Sequence, residues 1–191
     1  MIPEPCAPEF HARNPGVLGL AFDAAQTEGL AMGTVELLDA PSAKSVHDVY
    51  TYWLAKKGVA IAPPRAAIAP EEMVPWLPWL ALLDVIGEQP RFRVRLFGTG
   101  LVNAYGQEIT GKWMDECDLN WVTDKLLEQM TTVVRERKPN VLRARYVKVS
   151  DRRYLDYERI ALPLSADGDT INMILCAYHV DHAHELGQGT E

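Results

Sequence analysis

Histidines and an aspartate stand close together near the end of the sequence, in the run HVDHAH at residues 179–184. Imidazole and carboxylate groups at this spacing could supply two ligands to a transition metal if the chain is extended there. Histidine tracts near a chain end more often bind metal only adventitiously, so we expect no functional metal site. The other histidines are His11 and His47, so residues 48–178 lack the axial ligand of a haem-binding helix, and haem is disfavoured.

Nucleophilic groups are also present, but not in catalytic surroundings. Cys117 lies in DECDLNW, which lacks the asparagine-cysteine-arginine type of motif that a flavin photosensor requires, so flavin is disfavoured as well. Ser42, Ser45, Ser150 and Ser165 fall in helix-cap or turn contexts, and no G-x-S-x-G motif occurs. Because a nucleophile needs a base positioned beside it, the sequence does not indicate nucleophilic catalysis.

One pair of carboxylates, Asp156 and Glu158, has the spacing at which two acids share one face of a strand. If the hairpin around them is centred on Asp151, Glu158 lies opposite Arg145 and Asp156 lies beside it. Opposite charges that face one another across two strands favour a surface ladder of ion pairs over acid–base chemistry. We therefore predict no catalytic residue in this hairpin and no enzymatic activity for the protein.

A glycine-containing stretch, RFRVRLFGTGLVNAYG, has the order strand, glycines, helix that also occurs in dinucleotide-binding loops. Gly98 and Gly100 fit that fingerprint, but Asn103 stands where its third glycine belongs, and no G-x-x-x-x-G-K-[ST] motif is present. The strands that follow come as antiparallel hairpins instead of parallel crossovers. The two glycines are therefore predicted to let the chain turn from a strand into a helix.

Two segments have the periodicity of amphipathic helices. The first, SVHDVYTYWLAKKG, is predicted to be helical over residues 45–57, with Ser45 and Asp48 at capping-box spacing and its apolar residues on one stripe. The second begins near Asn120 and ends at RERKP, and it too carries apolar residues at helical spacing. Between them, the frequent prolines of VAIAPPRAAIAPEEMVPWLPWL exclude another long helix.

Five segments have the pattern of strands: LALLDVI, RFRVRLF, VLRARYVKV, YLDYERIALPL and TINMILCAYHV. The first and fifth are apolar on both faces, which is typical of central strands. In the first hairpin, pairing of Ile86 with Arg91 places Asp84 opposite Arg93. The chain therefore predicts an α+β fold, in which a five-stranded antiparallel sheet carries helices on one face, plus an N-terminal helix and arm.

Several motifs, in this order along the chain, resemble those of the single-domain PAS family of alphaproteobacteria, which are PAS-like sensory domains. They are YW at 52–53, PPR at 63–65, LPWLALLDV at 77–85, RFRVRLFGT at 91–99, YGQEITGK at 105–112 and the closing RIALPLSADGDTINMILCAY. The resemblance implies a PAS fold with the strands in spatial order 2-1-5-4-3, and with short helices and one longer helix enclosing a pocket. It also implies a cytoplasmic sensory or signalling role, although one PAS fold serves many ligands and outputs.

Composition limits the partners that we expect. The 191 residues carry a net charge of −7 at pH 7, which disfavours nucleic acid and anionic membranes. No apolar run reaches the roughly 18 residues of a membrane-spanning helix. The opening MIPEPCAPEF has acids and prolines where a signal peptide needs basic residues. Three distant cysteines without a C-x-x-C motif suit a reducing compartment, so we expect a cytoplasmic protein.

The expected organisation is a partly ordered arm at residues 1–41, a PAS-like domain at 42–182 and a C-terminal tail at 183–191. A pocket for a small organic ligand should be mainly apolar with a few polar groups. The candidate ligand-binding residues are Phe92, Val94, Leu96, Tyr105, Trp113, Met130, Tyr146, Tyr157 and Arg159. A buried Arg159 is costly unless it reaches solvent, pairs with an acid or binds an anionic ligand, and these alternatives stay open.

The function predicted from these features is a sensory or signalling module that binds a small organic ligand or a protein partner. A ligand would act through the helix at 45–57 and the arm, and the signal would pass by protein contact, often in a homodimer. The stripe of Tyr50, Trp53 and Leu54 caps the sheet in the favoured interpretation and forms a dimer face in the other. The alternative function is a structural or interaction module whose side chains fill the pocket. An enzyme on a related α+β fold is the third alternative.

Overall fold

The computed structural model describes residues 35–117, 122–148, 153–181 and 184–185. Strands in these ranges are β1 (Val35–Leu38), β2 (Leu80–Ile86), β3 (Arg91–Phe97), β4 (Asn140–Lys148), β5 (Arg153–Leu164), β6 (Met173–Val180) and β7 (His184–Glu185). The α-helices are α1 (Lys44–Lys57), α2 (Thr99–Tyr105) and α3 (Val122–Glu136), and single 3₁₀ turns lie at Arg65–Ala67, Pro70–Glu72, Leu77–Trp79 and Met114–Glu116. No helix in the described ranges has both the length and the apolar content to span a lipid bilayer.

The strands form one antiparallel sheet in the order β1-β4-β5-β6-β2-β3, and β7 pairs with the start of β5. β2 pairs with β6 from Leu80–Ala177 to Asp84–Met173, so the two strands predicted to be central are neighbours. The five predicted strands therefore have the predicted order 2-1-5-4-3, and the predicted fold is confirmed. β1 and β7 are additions to it, and β1, which lies in the segment predicted as an arm, extends the sheet beside β4.

The hairpin of β2 and β3 has the register predicted from its short turn, with Ile86 opposite Arg91 and Asp84 opposite Arg93. Its ion pair is a different one. The Asp84 carboxylate accepts a hydrogen bond from Nε of Arg95 at 2.7 Å. Arg95 lies two residues after Arg93 in β3. It is therefore a diagonal neighbour of Asp84, which a long side chain can reach.

A β-bulge interrupts this hairpin, because Leu82 pairs with Leu96 whereas the next residue, Leu83, pairs with Val94. The extra residue in β3 breaks the strict alternation that its sequence predicts. Leu96 is 42% exposed, and the following Phe97 packs against the core instead. The predicted core-facing orientation of Leu96 is therefore wrong.

The hairpin of β4 and β5 is registered two residues away from the predicted pairing. Arg145 lies opposite Asp156, and Arg143 lies opposite Glu158. Arg145 and Asp156 form the partly exposed bidentate ion pair of a charge ladder, with N–O distances of 2.7 and 2.8 Å. Glu158 is only 4% exposed, so the prediction that it belongs to a surface ladder is wrong.

Helices cover both faces of the sheet. Tyr157 of β5 faces the side on which Tyr105 of α2 lies. Glu158 points to the opposite side, because successive side chains in a strand alternate, and there it meets the chain that leads into α1. Trp53 of α1 is buried on this second face, where its indole N–H donates to the carbonyl of Pro163 at 2.9 Å. Helix α1 therefore caps the sheet, as the favoured interpretation of its apolar stripe predicts.

Two glycines allow β3 to turn closely into α2. A Cβ atom on Gly98 would collide with the backbone carbonyls of Leu77 and Pro78, and one on Gly100 would meet the Trp79 ring at 2.9 Å. The φ angle of Gly98 is −63°, which any residue adopts, so close approach and not backbone freedom is what requires glycine at this position. The stretch is thus a tightly packed turn from strand to helix, as its sequence predicts.

Candidate functional site

A cavity of about 30 Å³, which we call the interior cavity, lies between the sheet and helices α2 and α3. Its lining is mainly apolar and includes three tyrosines: Ala81, Leu83, Val94, Phe97, Tyr105, Ile109, Met114, Leu126, Tyr157 and Tyr178. A cavity needs roughly 10–15 Å³ to hold one water molecule, so this one has room for about two groups of that size.

Different elements build the walls of the interior cavity. Strands β2, β5 and β6 supply alternate residues of one sheet face, whereas Phe97 of β3 reaches the cavity because of the bulge before it. Tyr105 is the last residue of α2, and the left-handed Gly106 ends that helix directly after it. Ile109 and Met114 come from the segment between α2 and α3, and Leu126 comes from α3 itself.

Tyr105, Tyr157 and Tyr178 form an aromatic row along this cavity. The ring centroids of Tyr105 and Tyr157 are 6.3 Å apart, and those of Tyr157 and Tyr178 are 5.8 Å apart. Burial raises the pKa of all three hydroxyls. The tyrosines therefore stay protonated at neutral pH, as groups that can donate and accept hydrogen bonds.

Arg159 lies two residues after Tyr157 on the same face of β5, opposite Tyr178 of β6. Its side chain is fully buried, and none of its guanidinium nitrogens has a hydrogen-bond partner among the described residues. The charge of Arg159 lowers the pKa of Tyr157 and Tyr178 against the larger, opposing effect of burial, so the guanidinium lies near both rings. Arg159 does not itself line the cavity.

Glu158 holds the start of α1. Its Oε1 accepts hydrogen bonds from the backbone amides of Ser42 at 2.8 Å and Ala43 at 2.9 Å, and its Oε2 accepts one from the Ser42 hydroxyl. Burial alone would raise the pKa of the Glu158 carboxyl, but these hydrogen bonds and Arg143, 3.5 Å away, lower it below its usual value. The carboxylate is therefore charged at neutral pH and bound from several sides.

This arrangement replaces the capping box predicted for α1. The N-cap residue is Ala43, and no side-chain cap is present. Ser45 lies instead within the first turn, with its hydroxyl 3.2 Å from Nδ1 of His179, and Asp48 pairs with Lys44 at 2.7 Å. The capping-box prediction is therefore wrong, because a strand residue distant in sequence binds the backbone at the helix start.

Most of the sequence-predicted site residues gather around the interior cavity. Val94, Tyr105 and Tyr157 line it. Phe92 and Met130 are buried in the same hydrophobic core but do not line the cavity. The predicted set therefore overlaps the cavity lining in part, and a role in ligand binding stays a prediction for each of these residues.

Three other predicted site residues are placed differently. Leu96 is on the exposed side of β3, away from the cavity. The Trp113 ring stacks on Arg91, with the guanidinium carbon 4.3 Å from the ring centroid, and it does not line the cavity. Tyr146 pairs with Leu155 through the backbone of β4, but its side chain is outside the described part of the chain.

Sequence reasoning missed several lining residues. Tyr178 could have been found, because the alternation of β6 and β5 places it on the same face as Tyr157 once their register is known. Phe97 was hidden by a bulge for which its strand carries no glycine signal. Ile109 and Met114 lie in an irregular segment, where no periodic pattern indicates which side chains point inward.

A chain of polar contacts joins Ser45, His179 and Asp181. Nε2 of His179 lies 3.4 Å from the carboxylate of Asp181, whose side chain is 65% exposed. His179 and Asp181 are both exposed, so these contacts have the character of a surface network and not of the shielded nucleophile and base of a catalytic site. His182 and the side chain of His184 lie outside the described residues, and within them no group of three possible metal ligands occurs.

A groove of about 290 Å³, the α1 groove, lies between α1 and the turn that carries two tryptophans. Its lining residues are Ser45, Val49, Pro75, Trp76, Trp79, Leu80, Ala177, Tyr178, His179 and Val180. Tyr178 is half-buried and borders both this groove and the interior cavity. Strand alternation places its ring on the cavity face of β6, together with Tyr157, whereas α1 lies on the other face.

Comparisons with known proteins identify the family of the chain. No curated protein matches the chain. One solved structure, the "Structure of an RNA-binding Light-Oxygen-Voltage Receptor", has a TM-score of 0.47 and 8% sequence identity over 78% of this chain. This chain covers only 38% of that receptor. The PAS domain family matches residues 41–179, which is well over half of the 191 residues. The chain therefore belongs to the PAS domain family, whose members are sensory and signalling modules.

Proposed function

We propose that this PAS domain binds a small organic ligand in its interior cavity and passes the signal on, without catalysis, through protein contacts of helix α1. The observation that carries the proposal is the placement of three consecutive residues in β5. Tyr157 and Arg159 face the cavity side, and Glu158 between them binds the start of α1 on the other face. A displacement of β5 by a ligand would therefore act directly on α1.

Hydrogen-bond geometry makes this coupling effective. The carboxylate of Glu158 is bound by two backbone amides and a hydroxyl, and such bonds weaken steeply when their distances or angles change. A small shift of the strand would thus loosen or reorient the helix start. A ligand produces such a shift only if its affinity differs between the two arrangements of β5 and α1.

The end of α1 and the turn after it form the output surface that we propose. Leu54 is 43% exposed, and Val59 and Ile61, which follow the helix, are exposed as well. Apolar side chains that lie together at a surface are typical of protein–protein contacts. We propose a second copy of the chain or another signalling protein as the partner, and not nucleic acid, because the net charge is −7.

We also propose that the module works in the cytoplasm. Cys117 and Cys176, the cysteines within the described residues, are buried free thiols. Free thiols persist in compartments that glutathione and thioredoxin keep reducing. Expression with a compartment-specific tag would test this part of the proposal directly.

The alternative function, a structural or interaction module with a filled core, is favoured by the cavity volume. Typical ligand pockets hold about 300–1,000 Å³, far more than the interior cavity of about 30 Å³. An organic ligand of ordinary size would have to displace side chains of the lining. If the core does not open, α1 would present a constant surface to its partner.

A binding screen with a structural readout separates the two functions. We would measure thermal unfolding with a panel of small carboxylates, amides and alcohols, and then measure amide hydrogen exchange of residues 42–57 with any compound that raises the Tm. The proposal expects altered exchange in wild type and in Asp156→Asn, but not in Glu158→Gln, which keeps the cavity and loses the charged contact to α1. Stabilisation by no compound would favour the filled core. Stabilisation without any change in α1 would contradict the proposed route.

A further inference from the structure

The interior of the domain contains a positive charge that no described residue neutralises. The side chain of Arg159 is fully buried, and Nε, Nη1 and Nη2 make no well-formed hydrogen bond within the described ranges. The Tyr178 hydroxyl, whose pKa burial raises and a hydrogen-bonding contact with Arg159 lowers, lies beside the guanidinium but is neutral. A buried lysine can lose its proton to avoid such a cost, but a guanidinium stays charged at any physiological pH. The side chain therefore needs a counter-charge, and not only hydrogen-bond acceptors.

Among the described residues, the groups around Arg159 do not supply this counter-charge. The adjacent carboxylate, Glu158, points to the other face of the sheet and is bound to the start of α1. The guanidinium instead affects Tyr157, Tyr178 and Cys176, whose pKa values burial raises and the Arg159 charge lowers. Phenol and thiol groups with raised pKa values are neutral at pH 7. They can accept hydrogen bonds from a guanidinium, but they do not balance its charge.

The adjoining cavity is apolar on the side away from Arg159. Leu83 of β2 and Val94 of β3 form this part of its lining, because their strands lie further from β5, while Tyr157 and Tyr178 stand on the Arg159 side. A molecule that satisfies both parts must carry one negative group and a short apolar tail. A ligand with a polar group at each end would leave one of these groups in apolar surroundings without a hydrogen-bond partner.

We propose that the interior cavity binds a short monocarboxylate, with its aliphatic tail against Leu83, Val94 and Leu126 and its carboxylate directed past the lining tyrosines to Arg159, which lies behind them. This inference rests on the proposed function, because it names the ligand class for the same cavity. A guanidinium binds a carboxylate through two parallel N–H···O bonds, which suits the unpartnered nitrogens of Arg159. The volume of about 30 Å³ has room for about two water-sized groups, so it admits only the shortest acids, of about two or three carbons, and side chains of the lining must move to take them.

Tyr178 provides the route to this site. It is the cross-strand neighbour of Arg159, it is half-buried, and it borders both the α1 groove and the interior cavity. Displacement of its ring within the core would open space beside the guanidinium for a carboxylate. The same movement would change the groove surface next to α1, and so it links binding to the proposed output.

The first test compares sodium propionate with propionamide, which has almost the same shape and no charge, at constant ionic strength. We expect propionate to raise the Tm by about 5–10 °C at 100 times its Kd, and propionamide to have little effect. Octanoate, which is too long for the cavity, and chloride at equal concentration should not reproduce the shift. Equal effects of propionate and chloride would overturn the carboxylate assignment.

The second test uses Arg159→Met, which keeps the length of the side chain and removes its charge. We expect this variant to be more stable than wild type without ligand, because an uncompensated charge is gone, and to lose the response to propionate completely. Arg145→Met is the matched control, since Arg145 already pairs with Asp156 on the solvent side, and it should keep the full response. A strongly destabilised Arg159→Met would show that Arg159 has a structural partner and would contradict the proposal.

A measurement on wild type removes any dependence on the folding of the variant. The Nε–Hε resonance of Arg159 in ¹⁵N-labelled protein should shift on titration with propionate and saturate, and it should not respond to propionamide. If neutral compounds stabilise the domain and propionate does not, the inference on charge fails while the proposed cavity function stands. If no compound of any class binds, the proposed function fails as well.

Discussion

The carboxylate of Glu158 accepts a hydrogen bond from the backbone amide of Ser42 at 2.8 Å, across a separation of 116 positions in the chain. Helix starts are usually satisfied by a side chain of the same segment, such as the N-cap serine of a capping box. Here a strand in the middle of the sheet performs that role. The start of α1 therefore depends on the correct placement of β5, and not on the local sequence alone.

Replacement of Glu158 by glutamine should measure this dependence. Glu158→Gln keeps the size of the side chain but removes the charge that Ser42, Ala43 and Arg143 bind, so we expect a loss of roughly 1–3 kcal/mol in the free energy of unfolding. Urea unfolding followed by circular dichroism would measure it. Asp156→Asn, on the same strand, removes a partly exposed ion pair and should cost less than about 1 kcal/mol. Equal losses in both variants would contradict the structural role of Glu158.

The same contact predicts how stability depends on pH. Burial acts to raise the pKa of Glu158, but the bonds to Ser42 and Ala43 outweigh it, so the folded pKa lies below the ordinary value of 4.5. A depressed carboxyl pKa stabilises the fold above the unfolded value, and that contribution is lost as the pH falls through the folded pKa. The stability difference between wild type and Glu158→Gln should therefore be constant near neutrality and shrink below pH 4.5. A difference that grows in acid would refute this assignment.

The bulge in β3 predicts an unequal cost for two leucines. Leu96→Ala should destabilise the domain by less than about 1 kcal/mol, because Leu96 is 42% exposed and lies outside the hydrophobic core. Leu101→Ala, in the fully buried first turns of α2, should cost about 2–5 kcal/mol. Chemical denaturation of the two variants under one set of conditions provides the comparison. A large loss of stability in Leu96→Ala would contradict the bulge, because it would mean that Leu96 faces the core as strict alternation predicts.

Close packing at the start of α2 predicts a strong effect of one added methyl group. Gly98→Ala places a Cβ atom against the carbonyl oxygens of Leu77 and Pro78, which belong to backbone and cannot rotate away. We expect a loss of about 1–3 kcal/mol from overpacking. Differential scanning calorimetry would detect it as a lowered Tm. An unchanged Tm would mean that the turn at Leu77–Trp79 can move away from α2 at little cost.

The sequence predicts the sheet order well, because apolar content on both faces identifies β2 and β6 as central strands. The register of the first hairpin was also predictable, since its short turn allows few pairings. The second hairpin was not, and its charges explain why. Arg143 and Arg145 lie on the same face, so a shift by two residues exchanges one arginine for the other opposite Glu158 and leaves every side chain on its own face.

The site was predictable in part, for a related reason. Alternation places Tyr157 and Arg159 together on the inner face of β5, and both belong to the predicted set. The size of the cavity follows from how all the side chains around it pack, and no local pattern in the sequence contains that information. The bulge that turns Phe97, and not Leu96, towards the core depends likewise on the partner strand. A strand without glycine gives no sign of such a bulge.

Helix α1 is attached to β5 at both ends, through Glu158 at its start and through Pro163, whose carbonyl binds the Trp53 indole. From Ala43 to Trp53 a helix rises about 15 Å at 1.5 Å per residue. From Glu158 to Pro163 a strand extends about 16 Å at 3.3 Å per residue. The distance between the two anchors is thus nearly the same along the helix and along the strand. One residue inserted into the helix between them would turn Trp53 by about 100° away from its acceptor. Length variation in this domain should therefore not be tolerated between Ser42 and Trp53.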